Sequence, residues 1–482
     1  MTTDVSAPAA PDLVVTAAPR PARRRVPRAL VVLFLLGLAL RAGFLAADPY
    51  PGELAGLARS NGEIARNLVV HGEWFALNRT SPNTSATYPG LVDPAAIDYR
   101  AADAGPSFKP YRIHMPGTAL LLAGIWKVTG SQRYLPLQVL QVLVDAAMVL
   151  VVHWIARTMY RRRRAALLAA AGYALFVPIA ALIRIPFYDP WAITATMGIF
   201  ALMLKARDAG RPLRWLLAAG LVTGFGMWFR AQLVLLPVAL ALAMLPALGW
   251  RRVVPRAVVP AALALLLVAP YSLWTLTDQG HFSPVNTGTG QVLSEGLGQR
   301  ANDFGAVMDD GVTFEQVHAE RPNLEYASYD YDRYLLDKAK AAIAGHPGFY
   351  AALLVQRTVL SVIPLMNSGE LGRARADLRA SDGSLLAYAK ASPRQAAKTV
   401  AGVAAGPLML LAALGGLWLT RRRRDETLLL LALLAATFAV PIVMAHAWRY
   451  VAPATFVYLV LGAQLADRGA VLLRRRRSRR AA

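Results

Sequence analysis

The chain has 482 residues, 56% of them hydrophobic and 17% charged, with a mean hydropathy of +0.39. This excludes an ordinary soluble domain, because apolar runs of about 17–25 residues recur along most of the length. The formal net charge of +23 does not mark a nucleic-acid surface: the basic residues concentrate at RPARRRVPR (20–28), RRRR (161–164), WRR (250–252), RRRR (421–424) and RRRRSRR (474–480), each beside an apolar run, as cytoplasmic topology anchors do. Without cysteine the chain has no disulfide, thiolate nucleophile or cysteine–zinc site, and its redox compartment is not legible from that count.

In chain order, residues 1–27 are rich in Ala, Pro and Arg and read as a disordered basic cytoplasmic tail. The apolar run that follows is span-length and lacks a small-x-small exit site, so no cleaved signal peptide is expected. Placing the arginine clusters inside threads ten spans through a membrane domain at 28–470: 30–47, 135–159, 165–183, 190–205, 213–229, 232–249, 255–276, 398–420, 426–445 and 451–467. A second basic cytoplasmic tail follows at 471–482. Two long segments, 48–134 and 277–397, then fall outside the cell, with short turns at 184–189, 230–231 and 446–450 on the same face. Apolar stretches at 117–126 and 348–366 are too short or too interrupted to need spanning and read as interfacial helices; Arg357 lies in the middle of the second.

The chemistry-bearing residues gather on that outer face. SNGEIARNLVVHGEWF (60–75) has the spacing of an acidic amphipathic helix and offers Glu63 at the water–lipid boundary, ten residues after Glu53. KPYRIHMPGTALLLAGIWKVTG (109–130) brings Lys109 and His114 to the entry of an apolar helix. RIPFYDPWAIT (184–194) carries Arg184 and Asp189; Asp189 before Pro190 suits a helix N-cap. Arg230 in WFRAQ separates two apolar runs, and HAWRYVAP (446–453) supplies His446, Arg449 and Tyr450. Single interfacial cations are also explained by snorkelling. Arg41 and Asp145 lie inside spans, where isolated charge is costly, and read as a structural pair.

The order of these stretches resembles that of the polyprenyl-phosphate-dependent glycosyltransferases of the GT-C fold, a group that includes lipid A aminoarabinose transferases, protein O-mannosyltransferases and rhizobial lipopolysaccharide sugar transferases. EIARNL (63–68) is similar to the end of the first external motif of the aminoarabinose transferases, whereas the slots of its Asp-Glu pair hold Leu57 and Ala58. His114 stands where that family has a lysine, and Arg449-Tyr450 followed by Pro453 is similar to the Arg-Tyr-x-x-Pro that opens a late span.

The resemblance implies an all-α GT-C-like bundle of about ten transmembrane helices in the plasma membrane, with its active site on the extracytoplasmic face. It implies transfer of a hexose or pentose from a polyprenyl-phosphate sugar to a glycan, lipid or protein acceptor by an inverting, carboxylate-assisted displacement. Glu63, Glu53 and Asp189 are then the catalytic acids, with Glu53 and Glu63 competing for one role. Lys109, His114, Arg184, Arg230, His446, Arg449 and Tyr450 are then the substrate contacts. Some relatives use a divalent metal ion; the scattered histidines show no ligand spacing, and the metal stays open. The Gly-, Asn- and Tyr-rich segment 277–347 suits either a sugar-binding loop with aromatic faces or a solvated lid. The competing class is a transporter or flippase of lipid-linked sugars, which should show inverted repeats and broken midplane helices; none is legible. The Ala-, Arg- and Leu-rich composition suits a bacterial envelope enzyme.

Overall fold

The computed structural model describes residues 27–49, 55–78, 108–283, 285–286, 288–326, 328–364, 390 and 393–481; Glu53 lies outside them. Among these residues the protein is helical except for one two-stranded ribbon, so the all-α architecture holds. Helices α1 (Arg28–Ala47) and α2 (Ala55–His71) precede β1 (Ala76–Asn78) and β2 (Phe108–Pro110), which pair antiparallel with Leu77 opposite Lys109. The chain continues through α3 (Gly117–Thr129), α4 (Leu135–Tyr160), α5 (Arg163–Ala174), α6 (Val177–Ile183), α7 (Asp189–Asp208) and α8 (Leu213–Met227). A 3₁₀ turn (Ala231–Val234) leads to α9 (Leu235–Ala243), α10 (Leu245–Leu248) and α11 (Trp250–Gln279). The second long segment folds as α12 (Thr289–Leu297), α13 (Asp310–Glu320), α14 (Tyr329–Gly345) and α15 (Pro347–Val362). Then come α16 (Pro393–Thr420), α17 (Arg424–Val443), α18 (Trp448–Val451), a 3₁₀ turn (Ala452–Ala454) and α19 (Thr455–Ala481).

A helix lies under each of the ten expected spans, but the count of ten is not reproduced by length and composition. Among the described residues five helices are long and apolar enough to cross a membrane, and α5 with α6, bent by 50° at their break, makes a sixth. The bend falls just before Pro178, which has no N–H to continue the ladder of α5. The apolar helical stretches at 213–227, 231–243 and, within α16, 404–420 are shorter. The fourth expected span, α7, is buried on nearly every side; as the centre of the bundle it needs no lipid-facing apolar surface. The last helix runs on through the basic C-terminal stretch.

Packing follows from which faces are apolar and which are small. Helix α1 exposes Val31, Val32, Leu35 and Leu36 and buries Leu30, Gly37, Arg41 and Leu45, a stripe at helical spacing with a lipid-facing side opposite. Helix α8 crosses α11 closely because Gly220 and Gly224, four apart, leave room for Leu263 and Leu267; a Cβ on Gly224 would press into both the Leu267 side chain and the Ala264 backbone. At one end of the bundle two arginine-bearing turns and the last helix converge: Arg162 pairs with Asp467 of α19 at 2.6 Å, and Arg423 donates to the Met159 carbonyl of α4 at 2.7 Å.

The two long segments pack together over the ends of α8 and α11. Ile64, Phe75, Leu77, Tyr111, Ile113 and Met115 from the first share a core with Met227, Val268 and Tyr271, and with Tyr326, Tyr331 and Leu335 from the second. The ribbon is tied down by Asn67, which donates to the Ala76 carbonyl at 2.8 Å, and by the Tyr111 N–H, which donates to the Phe75 carbonyl at 2.7 Å. The tyrosine-rich stretch therefore fills a core: Tyr326 is 5% and Tyr331 1% exposed. Those two rings are thus not the open aromatic platform that one reading of 277–347 offered.

Candidate active site

Helix α7 begins at Asp189 itself, with Tyr188 at the N-cap, and the Asp189 side chain accepts from Arg230; the N-cap expectation is corrected here. Asp189 is 1% exposed, and a buried carboxylate requires a partner. Arg230, at the junction of α8 and the 3₁₀ turn, donates to its Oδ1. Arg449 of α18 brings Nη1 to 3.8 Å from its Oδ2. Three elements distant in sequence thus meet on one carboxylate. Aromatic faces hold the guanidiniums: Arg230 lies 5.0 Å from the ring centroid of Tyr188 and 4.7 Å from that of Tyr450. Arg449 lies 5.4 Å from Phe187 and 5.0 Å from Tyr450. Two guanidiniums against one carboxylate leave one positive charge.

A cavity of about 300 Å³ opens beside this cluster. His114, Arg230, Gln232, Asn286, Thr289 and Tyr450 give it a polar side; Val440, Pro441, Met444 and Ala445, from the end of α17 and the turn beyond it, give it an apolar one. Asn286 is held by donating to the Ile113 carbonyl at 2.6 Å. His114 sits between Tyr188 and Tyr111, with ring centroids at 5.5 and 6.0 Å. Burial first, then Arg449 and Arg230, push its pKa down to about 3, so the ring is neutral and offers one donor and one acceptor rather than a charge.

Of the residues singled out in the sequence, the fold gathers Asp189, Arg230, Arg449, Tyr450 and His114. Arg184 turns away: it pairs with Asp48, just past α1, at 3.0 Å. Glu63 is 5% exposed on α2 and does not line the cavity. Lys109 is placed only by its backbone, in β2. His446 is buried one residue beyond the cavity-lining Ala445, with its pKa lowered to about 4 by burial and then by Arg357. Arg41 and Asp145 form the expected buried pair at 2.5 Å, and the Tyr173 hydroxyl donates to the other oxygen of Asp145 at 2.5 Å. Sequence reasoning missed Asp48, Tyr188 and Asn286. Tyr188 precedes Asp189 directly and was the most findable; Asn286 acts through a contact 173 residues away.

Among the described residues no three His, Asp or Glu side chains group as metal ligands. The neighbours of Asp189 are cations, so the described residues do not fit a divalent ion there, and no step below is routed through one.

Residues 110–274 match the family described as dolichyl-phosphate-mannose-protein mannosyltransferase, one of the polyprenyl-phosphate-dependent group that the motif order resembles. The matched stretch takes in His114, Asp189 and Arg230 and stops short of Arg449. Among solved structures, the chain is similar to the oligosaccharyltransferase AglB of Archaeoglobus fulgidus, in complex with an inhibitory peptide and a dolichol-phosphate. The identity is 16%, over 93% of this chain and 51% of that one, with a TM-score of 0.49. It is also similar to ArnT of Cupriavidus metallidurans bound to undecaprenyl phosphate, at 14% identity over 91% of this chain and 78% of that one, TM-score 0.39. The chain spans about half the length of the archaeal enzyme. No curated protein matches it.

Proposed function

We propose that the protein is a membrane glycosyltransferase that moves a sugar from a polyprenyl-phosphate donor to an extracytoplasmic acceptor with inversion at the anomeric carbon. The observation that carries this reading is the convergence of Arg230 and Arg449 on buried Asp189 beside a cavity with one polar and one apolar side. The family match over the stretch that holds His114, Asp189 and Arg230 supports it. In the reaction, the acceptor hydroxyl oxygen attacks the anomeric carbon, the bond from that carbon to the phosphate oxygen breaks, and polyprenyl phosphate leaves. Arg230 and Arg449 meet the phosphate, where charge develops, with charge-assisted hydrogen bonds. Tyr450 and neutral His114 orient the sugar. Asp189, engaged by both arginines, serves to hold the two guanidiniums at the donor.

The hydroxyl proton goes to a carboxylate of the first external segment; because Glu63 does not line the cavity, Glu53 is the proposed base, and Glu53→Gln set beside Glu63→Gln tests the choice. Loss of the base lowers turnover by about 10²–10⁴-fold.

The test incubates purified protein in detergent with a panel of polyprenyl-phosphate sugars and measures release of polyprenyl phosphate. Turnover that falls about ten- to hundredfold in Arg230→Ala and Arg449→Ala is the expected result, the size of a lost hydrogen bond to a charged group. Donor binding without turnover on any acceptor class would return the protein to the transporter reading.

A further inference from the structure

Arg449 reaches Asp189 only because the chain reverses between α17 and α18, and that turn is held from outside the membrane bundle. Arg357, fully buried in the middle of α15, donates from Nη1 to the carbonyls of Val443 at 2.8 Å and Ile442 at 3.3 Å, and from Nε to Gln299 Oε1 at 3.0 Å. Gln299 in turn grips His446 on both sides of its backbone: its Nε2 donates to the His446 carbonyl at 2.6 Å, and its Oε1 accepts the His446 N–H at 2.9 Å. The carbonyls taken by Arg357 are the terminal ones of α17, which have no intrahelical partner and carry the negative end of the helix dipole. A buried guanidinium with no carboxylate at hand among the described residues is thereby accommodated. Gly296 of α12 closes the other side: a Cβ there would run into the Met444 carbonyl oxygen and the Arg357 guanidinium.

We infer that Arg357 and Gln299 form a clasp that positions Arg449 for the donor phosphate, with Gly296 letting α12 seat against it. Neither residue lines the cavity; both act through the turn 444–447. Because Thr289 and Val292 of the same helix α12 do line the cavity, the wall of the binding site and the placement of Arg449 are set by one packed unit.

This inference rests on the proposed function for its kinetic arm and is independent of it in its spectroscopic arm. The chain has no cysteine, so Ala447→Cys, labelled with a nitroxide, reports the mobility of the turn directly. Gln299→Ala and Gly296→Val should each raise that mobility while the protein stays monodisperse in detergent, and Arg357→Lys should do so less than Arg357→Ala. An unchanged spectrum in Gln299→Ala overturns the clasp whatever the enzyme's activity. In the kinetic arm, Gln299→Ala should raise the donor KM by about ten- to hundredfold, as does loss of a charge-assisted contact, and should leave acceptor KM unchanged. In an Arg449→Ala background it should add nothing further. Additive losses show a general structural role and sink the positioning claim. A wild-type protein that turns over no polyprenyl-phosphate donor defeats the proposed function, and the label then decides on the clasp alone.

Discussion

At the scale of single residues, cost explains what could be read in advance. A charge inside a span is expensive enough that Arg41 and Asp145 required one another, and 104 residues apart in sequence they do meet. Asp189, Arg230 and Arg449 were legible as chemistry-bearing types on one face, but their mutual geometry was not: no local pattern encodes that two arginines would share one acid. Their interdependence gives a first prediction. Asp189→Asn leaves two partly buried guanidiniums facing a neutral amide, so stability should fall, by up to about 3–5 kcal/mol, the cost of removing one member of a fully buried pair. Thermal unfolding in detergent measures this, and donor binding should be lost with it. The second concerns the pair within the bundle. Asp145→Asn should destabilise by a similar amount, about 3–5 kcal/mol, whereas Arg41→Leu combined with Asp145→Leu should recover most of the loss, because an apolar pair carries no desolvation penalty. Were the double variant as unstable as the single one, the hydrogen bonds from Arg41 to the Gly37 and Ala174 carbonyls would be the dominant contribution.

At the scale of elements, helices were legible where their apolar period was long and uninterrupted, while their partners were not. Helix α7 is the buried centre of the bundle, and Arg357 in the middle of α15 caps another helix. In the second external segment the sequence left the tyrosines undecided, and packing put Tyr326 and Tyr331 inside. That packing also buries acids. Glu295 on α12 is 9% exposed and accepts from Gln291 at 2.7 Å; burial first, then Asp310, hold its carboxyl well above the ordinary range. Burial likewise pushes Asp332 up to about 6, against the Gln291 and Gly290 N–H groups that lower it. A carboxyl whose folded pKa is raised is bound to its proton more tightly in the folded state. Stability therefore falls as pH rises from the unfolded value through the folded one. Glu295→Gln removes this titration and keeps a hydrogen-bonding side chain. It should unfold at a higher temperature than wild type at about pH 8, with the difference shrinking toward about pH 5. A pH-independent difference would mean that Glu295 does not change its protonation on unfolding.

At the scale of the whole molecule, sidedness is the property that sequence pattern carries best and packing least. The arginine clusters mark one face because positive residues resist translocation, and the fold brings Arg162 onto Asp467 of the last helix and Arg423 onto the end of α4. We predict that the cavity opens on the opposite, extracytoplasmic face. In this cysteine-free chain, Ala301→Cys, on the exposed surface of the second long segment, should react with a membrane-impermeant thiol reagent in intact spheroplasts. Gly210→Cys, between α7 and α8 where a side chain meets nothing, should react only after lysis; the reverse pattern would invert the topology and move the site to the cytoplasm.

The surplus positive charge at Asp189 also bears on how a catalytic cycle ends. The proposed donor is a phosphodiester with one negative charge, whereas the polyprenyl phosphate left behind is a monoester carrying about −1.5 to −2 at neutral pH. A site with two guanidiniums therefore grips its spent carrier more firmly than its incoming substrate. Product inhibition follows, with carrier departure setting the pace of turnover. Added polyprenyl phosphate should compete with the donor, and Arg449→Ala should relieve that competition more than it weakens donor binding.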